Sequence, residues 1–268
     1  MARPRALVLT GYGINCDRET RTAFEMAGAV ARRVHVNDLI EGLDRLDHYQ
    51  ILAFPGGFSY GDDIASGKVL ANRLKTHLAE HLERFIEAGN LVIGICNGFQ
   101  VMVKYGLLGS ARAGNHKQSV TLTYNDSARY EDRWVHLVPA SSNCVFTRGI
   151  QRLYLPVAHG EGKFYTRAQI LEELESQGLV ALRYANEKGE PAGGRYPLNP
   201  NGSSNDIAGI CDRTGRLFGM MPHPERFLHI TNHPGWTALA EQAKREGKPL
   251  PEEGQGLRIF RNAVTYFD

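Results

Sequence analysis

Cysteine is scarce, with four residues in a chain of 268. So few thiols in so long a chain do not make a disulfide scaffold, and the expectation is a reduced, cytoplasmic protein. No apolar run reaches the roughly 18 residues that a membrane-spanning helix needs. The basic start, Met1 to Arg5, is followed by only a short apolar stretch, Ala6 to Leu9, which is too little for a signal-peptide core. An excess of one charge is also missing. Lys plus Arg is 31 and Asp plus Glu is 29, a net charge of +2, which argues against a nucleic-acid-coating protein or an acidic tail. There is no Gly-x-x-x-x-Gly-Lys-Ser/Thr phosphate loop. The nearest approach, Gly61 to Lys68, has one residue too many and carries Val69 where a hydroxyl belongs. Gly11-x-Gly13 lacks the third glycine and the acidic partner of a dinucleotide fingerprint. No internal repeat or low-complexity tract occurs.

Glycine is what the chain has in quantity, 29 residues, many paired or one residue apart. With apolar runs between them, they predict tight turns joining short strands and helices. Ala6–Leu9, Ala31–Val36, Gln50–Phe54 and Leu91–Ile95 read as strands. Asp17 is placed to cap the helix after the first strand, and Gly28 to end it. Leu70, Leu74, Leu78, Leu82, Phe85 and Ile86 share one helical face, stopped at Gly89. Apolar strands alternating with helices predict an open, mostly parallel sheet in three layers, with helices on both faces. From Ser119 to Pro156 the apolar residues alternate instead, which predicts antiparallel strands added to that sheet. Thr166 to Gln169 reads as a capping box for a helix ending near Gln177. Leu179–Tyr184 is a further strand, and Asp212–Gly215 turns a hairpin between Ile207–Cys211 and Leu217–Met221. Leu257–Phe267 is a final helix. Thr231–Gly256 reads as an insertion with a helical middle, Trp236–Arg245, inside a single domain covering the chain.

The strongest chemical signal is Gly94-Ile95-Cys96-Asn97-Gly98, between an apolar strand and a helix-like run. This is a nucleophile elbow with Cys in place of Ser. The turn is so sharp that side chains two residues to either side of the nucleophile would clash, and the helix N-terminus favours a thiolate. The alternative is a buried Cys in a Gly-rich turn. A thiolate needs a partner, and two His-x-Glu triplets offer one, His223-Pro224-Glu225 and His159-Gly160-Glu161. Local sequence does not choose between them. Pro55-Gly56-Gly57-Phe58-Ser59 ends another apolar strand, where peptide N–H groups can stabilise an oxyanion or simply make a turn.

Read together, Gly94 to Gln100 and Met220-Met221-Pro222-His223-Pro224-Glu225-Arg226 resemble a class I, triad-type glutamine amidotransferase. Gly13 to Asp17, Phe54 to Asp63, Arg133 to Leu137, Leu155 to Gly162 and Asn199 to Ser203 narrow the resemblance to the glutaminase subunit of phosphoribosylformylglycinamidine synthase, in order and over nearly the whole chain. The basic start and the Thr231–Gly256 insertion depart from compact members. The resemblance implies a flavodoxin-like amidotransferase fold. It implies Cys96 as nucleophile, His223 as proton shuttle and Glu225 as its orienting partner. Backbone N–H groups of Gly57 and Asn97 become the oxyanion donors, and Gln100, Phe58 and His159 contact glutamine. It implies a synthetase subunit, with or without a small bridging subunit, that uses ATP and magnesium. No cofactor, metal, nucleic acid or membrane is expected for this chain. A stand-alone cysteine hydrolase of the same fold and a catalytically silent regulatory module are the alternatives. Of the other residues, Cys16 reads as structural despite its Gly-rich turn, and Cys144 and Cys211 as inert. His77 and His81, four apart on one expected helix, have the spacing of a metal pair, but no third or fourth ligand is evident and no metal site is expected there. Arg226 reads as solvated or partner-facing.

Overall fold

The computed structural model describes residues 3–109, 117–141 and 143–268; Met1 and Ala2 of the basic start lie outside them. The elements are β1 (Arg5–Thr10), α1 (Asp17–Ala27), β2 (Val30–His35), α2 (Val36–Ile40), β3 (Ile51–Phe54), α3 (Lys68–His77), α4 (Ala79–Glu87), β4 (Leu91–Ile95) and α5 (Asn97–Tyr105). After them come β5 (Val120–Thr123), β6 (Glu131–Pro139), β7 (Leu153–His159), β8 (Lys163–Thr166), α6 (Ala168–Ser176), β9 (Val180–Ala185), β10 (Ile207–Cys211), β11 (Leu217–Met220), α7 (Trp236–Arg245) and α8 (Leu257–Thr265).

Nine strands form one sheet in the order β2-β1-β3-β4-β11-β10-β9-β6-β7. The first five are parallel neighbours, in the 2-1-3-4-5 arrangement of flavodoxin-like folds once β11 is counted as fifth. The rest pair antiparallel. Every residue of β3, β4 and β11 is buried, which requires cover on both faces. Helices α1 and α8 pack together, with the Phe24 and Phe260 rings edge to face at 4.9 Å; α3 packs on α5. Among the described residues no helix is long and apolar enough to cross a membrane.

Four local expectations need correction. Asp17 does not cap α1. Cys16 holds that position, and Asp17 opens the helix with its carboxylate 3.0 Å from Arg33, where the helix dipole also favours it. The Leu70–Ile86 face belongs to two helices, broken at Leu78 (φ −127°, ψ 11°). Leucines spaced by four advance about 40° per step around a straight helix, so a straight run would carry Leu82 off the core. The bend keeps Leu70, Leu74, Leu78 and Leu82 all buried. Strand β5 does not join the main sheet, because β6 already has β7 and β9 on its two edges; it pairs with β8 in a separate ribbon. That pairing also removes the capping box. Thr166 ends β8 and its hydroxyl donates to Ser119 O, so Arg167 caps α6 without a side-chain bond.

Parallel strands end at one edge of a sheet, and in open α/β sheets ligands bind there. The turns after β1, β3, β4 and β11 carry Cys16, Gly56–Gly57, Cys96 and His223 respectively. Strand β7 runs in the same direction as β11, because four antiparallel steps separate them. Its end, His159, therefore reaches the same edge.

Candidate active site

Cys96 caps α5 at φ 51°, ψ −107°, a backbone conformation that L residues rarely adopt. Its N–H donates to Met220 O at 2.8 Å and its carbonyl accepts from Gln100 N–H at 3.1 Å. The flanking glycines are required by crowding. A Cβ on Gly94 would stand 2.5 Å from Met102 Sδ and 2.7 Å from Gly98 O, and one on Gly98 would stand 1.8 Å from Phe54 O. The Cys96 thiol is buried and donates a long hydrogen bond to Ala158 O at 3.7 Å.

His223 is held from both sides. Its N–H donates to Pro156 O at 2.8 Å, so the middle of β7 braces the loop after β11. Its Nδ1 lies 2.5 Å from Glu225 Oε1, both groups buried. Burial pulls the imidazole toward neutrality, but the Glu225 carboxylate and then the Cys96 and Cys16 sulfurs outweigh it, and His223 holds its proton well above the ordinary histidine range. Nε2, also buried, makes no protein hydrogen bond of ordinary length; Cys96 is close enough to act on the ring. The structure thus brings together Cys96, His223 and Glu225.

Gly57 sits opposite Ile14. The bonds Asn15 N–H to Gly56 O (3.3 Å) and Phe58 N–H to Gly13 O (2.8 Å) flank the pair and leave the Gly57 N–H out of the ladder. Its φ of +152°, and the 2.6 Å separation a Cβ would have from Gly13 O, admit only glycine. Asn97 is the first residue of α5, so its N–H has no intrahelical partner. Its side chain accepts from Ser59 N–H at 3.1 Å and donates to Asp62 Oδ1 at 3.1 Å and Gln100 Oε1 at 2.9 Å. Gln100 in turn donates to Glu161 O at 2.7 Å. Both ends of its amide are therefore engaged within the protein.

His159 is buried but is not bonded to His223. Its Nδ1 lies 3.1 Å from Asn125 Oδ1, which also accepts from Gly162 N–H, while Asn125 Nδ2 donates to the Arg129 and His159 carbonyls. Asn125 thus fixes the proton on Nδ1 and leaves Nε2 as a buried acceptor without a partner. Burial, with a smaller effect of His223, lowers its pKa to about 3, so the ring stays neutral. Gly162 lies flat on it; a Cβ there would be 2.2 Å from Cε1. Phe58 is exposed and faces Tyr130 across 6.5 Å. Tyr130, which also feels Cys96 and His223, carries no motif that sequence reasoning singles out. The Asn199–Ser203 segment holds the His159 turn through Asn201 Nδ2, which donates to Gly162 O at 2.8 Å and to Tyr184 Oη at 3.0 Å.

Cys16 and Arg226 also stand closer to the centre than their sequence suggests. Cys16 Sγ is 4.0 Å from His223 Nδ1, and Arg226 Nη2 donates to it at 3.2 Å. Arg226 is therefore not simply solvated. His77 and His81 fall on different helices rather than on one, and His81 meets Arg84 at 3.1 Å. Cys144 and Cys211 are buried away from these residues.

A family model described as the CobB/CobQ-like glutamine amidotransferase domain matches residues 3–267. The chain is 49% identical over 266 residues to the phosphoribosylformylglycinamidine synthase subunit PurQ of Methanococcus maripaludis, covering 99% of this chain and 98% of that protein. The protein of the same name from Dehalococcoides mccartyi is 49% identical over 268 residues, with 99% and 98% covered. A solved structure described as PurLQS from Thermotoga maritima superposes with a TM-score of 0.73 at 28% identity, covering 100% of both chains. The chain belongs to the glutamine amidotransferase family that contains the PurQ subunits of phosphoribosylformylglycinamidine synthase.

Proposed function

We propose that this chain is the glutaminase subunit of phosphoribosylformylglycinamidine synthase. It hydrolyses glutamine to glutamate and ammonia through a Cys96 thioester. The ammonia passes to a synthetase subunit that converts formylglycinamide ribonucleotide to formylglycinamidine ribonucleotide in purine biosynthesis. The observation that carries the reading is the strained Cys96 elbow beside a buried, carboxylate-paired imidazole, in a chain whose full-length relatives bear the PurQ name.

In the first half-reaction Cys96 acts as a thiolate paired with the His223 imidazolium and attacks the carboxamide carbon of glutamine. The developing oxyanion takes the N–H groups of Gly57 and Asn97, each such donor being worth about 3–4 kcal/mol in the transition state. His223, which holds its proton firmly, delivers it to the departing ammonia. In the second half-reaction it accepts a proton from water as hydroxide attacks the thioester, and departure of the Cys96 thiolate restores the thiolate–imidazolium pair. Glu225 keeps Nδ1 protonated and Nε2 aimed at the chemistry. Gln100 and the His159 turn shape the wall on which glutamine rests, with Phe58 at the mouth. ATP and magnesium belong to the synthetase, which assembles with this chain directly or with a small bridging subunit. A single domain over residues 1–268, with an insertion near 231–256, is supported by the sheet that runs from β1 to β11 and by the family match over 3–267. The reading places the protein in the cytoplasm.

Cys96→Ala, assayed in the assembled synthase, tests this. Glutamine-dependent synthesis disappears while ammonia-dependent synthesis remains. Continued use of glutamine by the variant overturns the assignment.

A further inference from the structure

We propose that Cys16, Nδ1 of His223 and Glu225 form a latent site for a thiophilic divalent cation, zinc by its donor chemistry, and that filling it switches the glutaminase off. The loss of activity rests on the function proposed above; the binding does not.

A thiol, an imidazole and a carboxylate stand together, all buried, with ligand atoms within 4.8 Å of one another. Sγ to Nδ1 is 4.0 Å and Nδ1 to Oε1 is 2.5 Å. Ligands around tetrahedral zinc lie about 3.3–3.6 Å apart, given bonds of about 2.0–2.3 Å. The thiol therefore closes and the carboxylate opens by under about 1 Å each to hold the ion. Mixed sulfur, nitrogen and oxygen donors suit zinc rather than magnesium or calcium. A second observation points to a ligand: Glu225 Oε2 is buried with no hydrogen-bond partner. A cavity of about 540 Å³, bordered by Arg18, Glu19, Glu225 and Arg226, opens onto Glu225.

Binding is an exchange. The Cys16 thiol proton and the Nδ1 proton of the imidazolium leave to solvent, the metal takes both positions, and the ring keeps its proton on Nε2. That is the wrong tautomer for catalysis, since Nε2 must accept a proton during thioester hydrolysis. Arg226 works against the ion, because its guanidinium occupies Cys16 Sγ at 3.2 Å and must swing aside.

Equilibrium dialysis of zinc against the Cys96→Ala chain isolates this site from the nucleophile. One zinc binds per chain, and affinity falls at least tenfold when Cys16→Ser or Cys16→Ala is added. Cobalt in its place gives a thiolate charge-transfer band that the double variants lack. In the assembled synthase, Cys16→Ala raises the half-inhibiting zinc concentration at least tenfold, and Arg226→Ala lowers it. Zinc affinity of Cys96→Ala that is unchanged by either Cys16 substitution, in chains that melt like the parent, overturns the proposal. So does equal inhibition with and without Cys16, which assigns the metal to Cys96. A synthase with no glutaminase activity even without zinc overturns the function instead and leaves the binding result standing.

Discussion

The side-chain amide of Gln100 donates to the carbonyl of Glu161 at 2.7 Å, and this bond joins the helix that carries Cys96 to the turn that carries His159. On its other side Gln100 accepts from Asn97, which reaches on to Asp62 and Ser59. One hydrogen-bonded chain therefore runs from the Gly-Gly turn, past the nucleophile, to the far wall of the site. In the proposed mechanism Asn97 offers its backbone to the oxyanion, while its side chain belongs to this chain of bonds.

Gln100→Leu removes two of these bonds and strands the Glu161 carbonyl and the Asn97 amide. Leaving buried polar groups unsatisfied costs about 1–3 kcal/mol. The expected result is a KM for glutamine raised by about five- to a hundredfold, with kcat changed less, because the wall shifts while the triad stays in place. Steady-state glutaminase kinetics in the assembled synthase measure the split. A fall in kcat at constant KM contradicts it.

Glu225→Gln keeps the shape of the carboxylate and deletes its charge. The carboxylate is the foremost of the groups holding the His223 proton against burial, so its loss lowers the imidazole pKa. Activity that needs the imidazolium to protonate ammonia is lost as pH rises through that pKa. The alkaline limb of the rate profile therefore moves to lower pH, alongside a fall in kcat of about 10²–10⁴-fold. A reduced rate with an unmoved limb means that Glu225 acts on something other than the charge of His223.

The elbow is legible in sequence because its cause is local. Phe54 O and Gly98 O come so close that only glycine fits at positions 98 and 94, and the spacing around Cys96 records that. The choice between His159 and His223 is not local, since both triplets look alike. It follows from what holds each ring: β7 comes right up to the thiol through Ala158 O, but the His159 imidazole is tied to Asn125, whereas His223 pairs with Glu225. Cys16 lies 207 positions from His223 and carries no spacing that betrays their contact. The bend at Leu78 is hidden for a different reason: no Pro or Gly marks it, and the need to keep four leucines buried is a property of the packed core.

Gly98→Ala is expected to be among the most damaging single-methyl additions. The new carbon would meet the Phe54 carbonyl at 1.8 Å, so β3 and α5 must separate. Overpacking of this kind costs about 1–3 kcal/mol or more. Gly160→Ala provides the control, since its nearest neighbour would be Tyr130 at 4.0 Å and its φ is ordinary. Chemical denaturation of the two variants should show a large loss for the first and almost none for the second. Equal losses would mean that the elbow backbone relaxes freely.

His159 makes the fold sensitive to acid. Its pKa is about 3 in the folded chain against an ordinary value of 6.5. Above 6.5 both folded and unfolded states hold it neutral, and its contribution is complete. As pH falls from 6.5 toward 3, the unfolded chain binds a proton that the folded chain refuses, and stability drops by about 1.4 kcal/mol per pH unit. His223 adds no slope in that window: its folded pKa is raised, so its contribution is present at acid pH and is lost only on the alkaline side. Carboxylates do add slope below about pH 5, which makes the difference between variants the useful quantity. His159→Gln cannot titrate and keeps a group able to bond Asn125. Urea unfolding at about pH 7 and about pH 4.5 should therefore show a smaller loss for the variant than for the parent, by about 2–3 kcal/mol. If the two lose the same amount, His159 binds its proton in the folded state as readily as in the unfolded one, and Asn125 does not lock its tautomer.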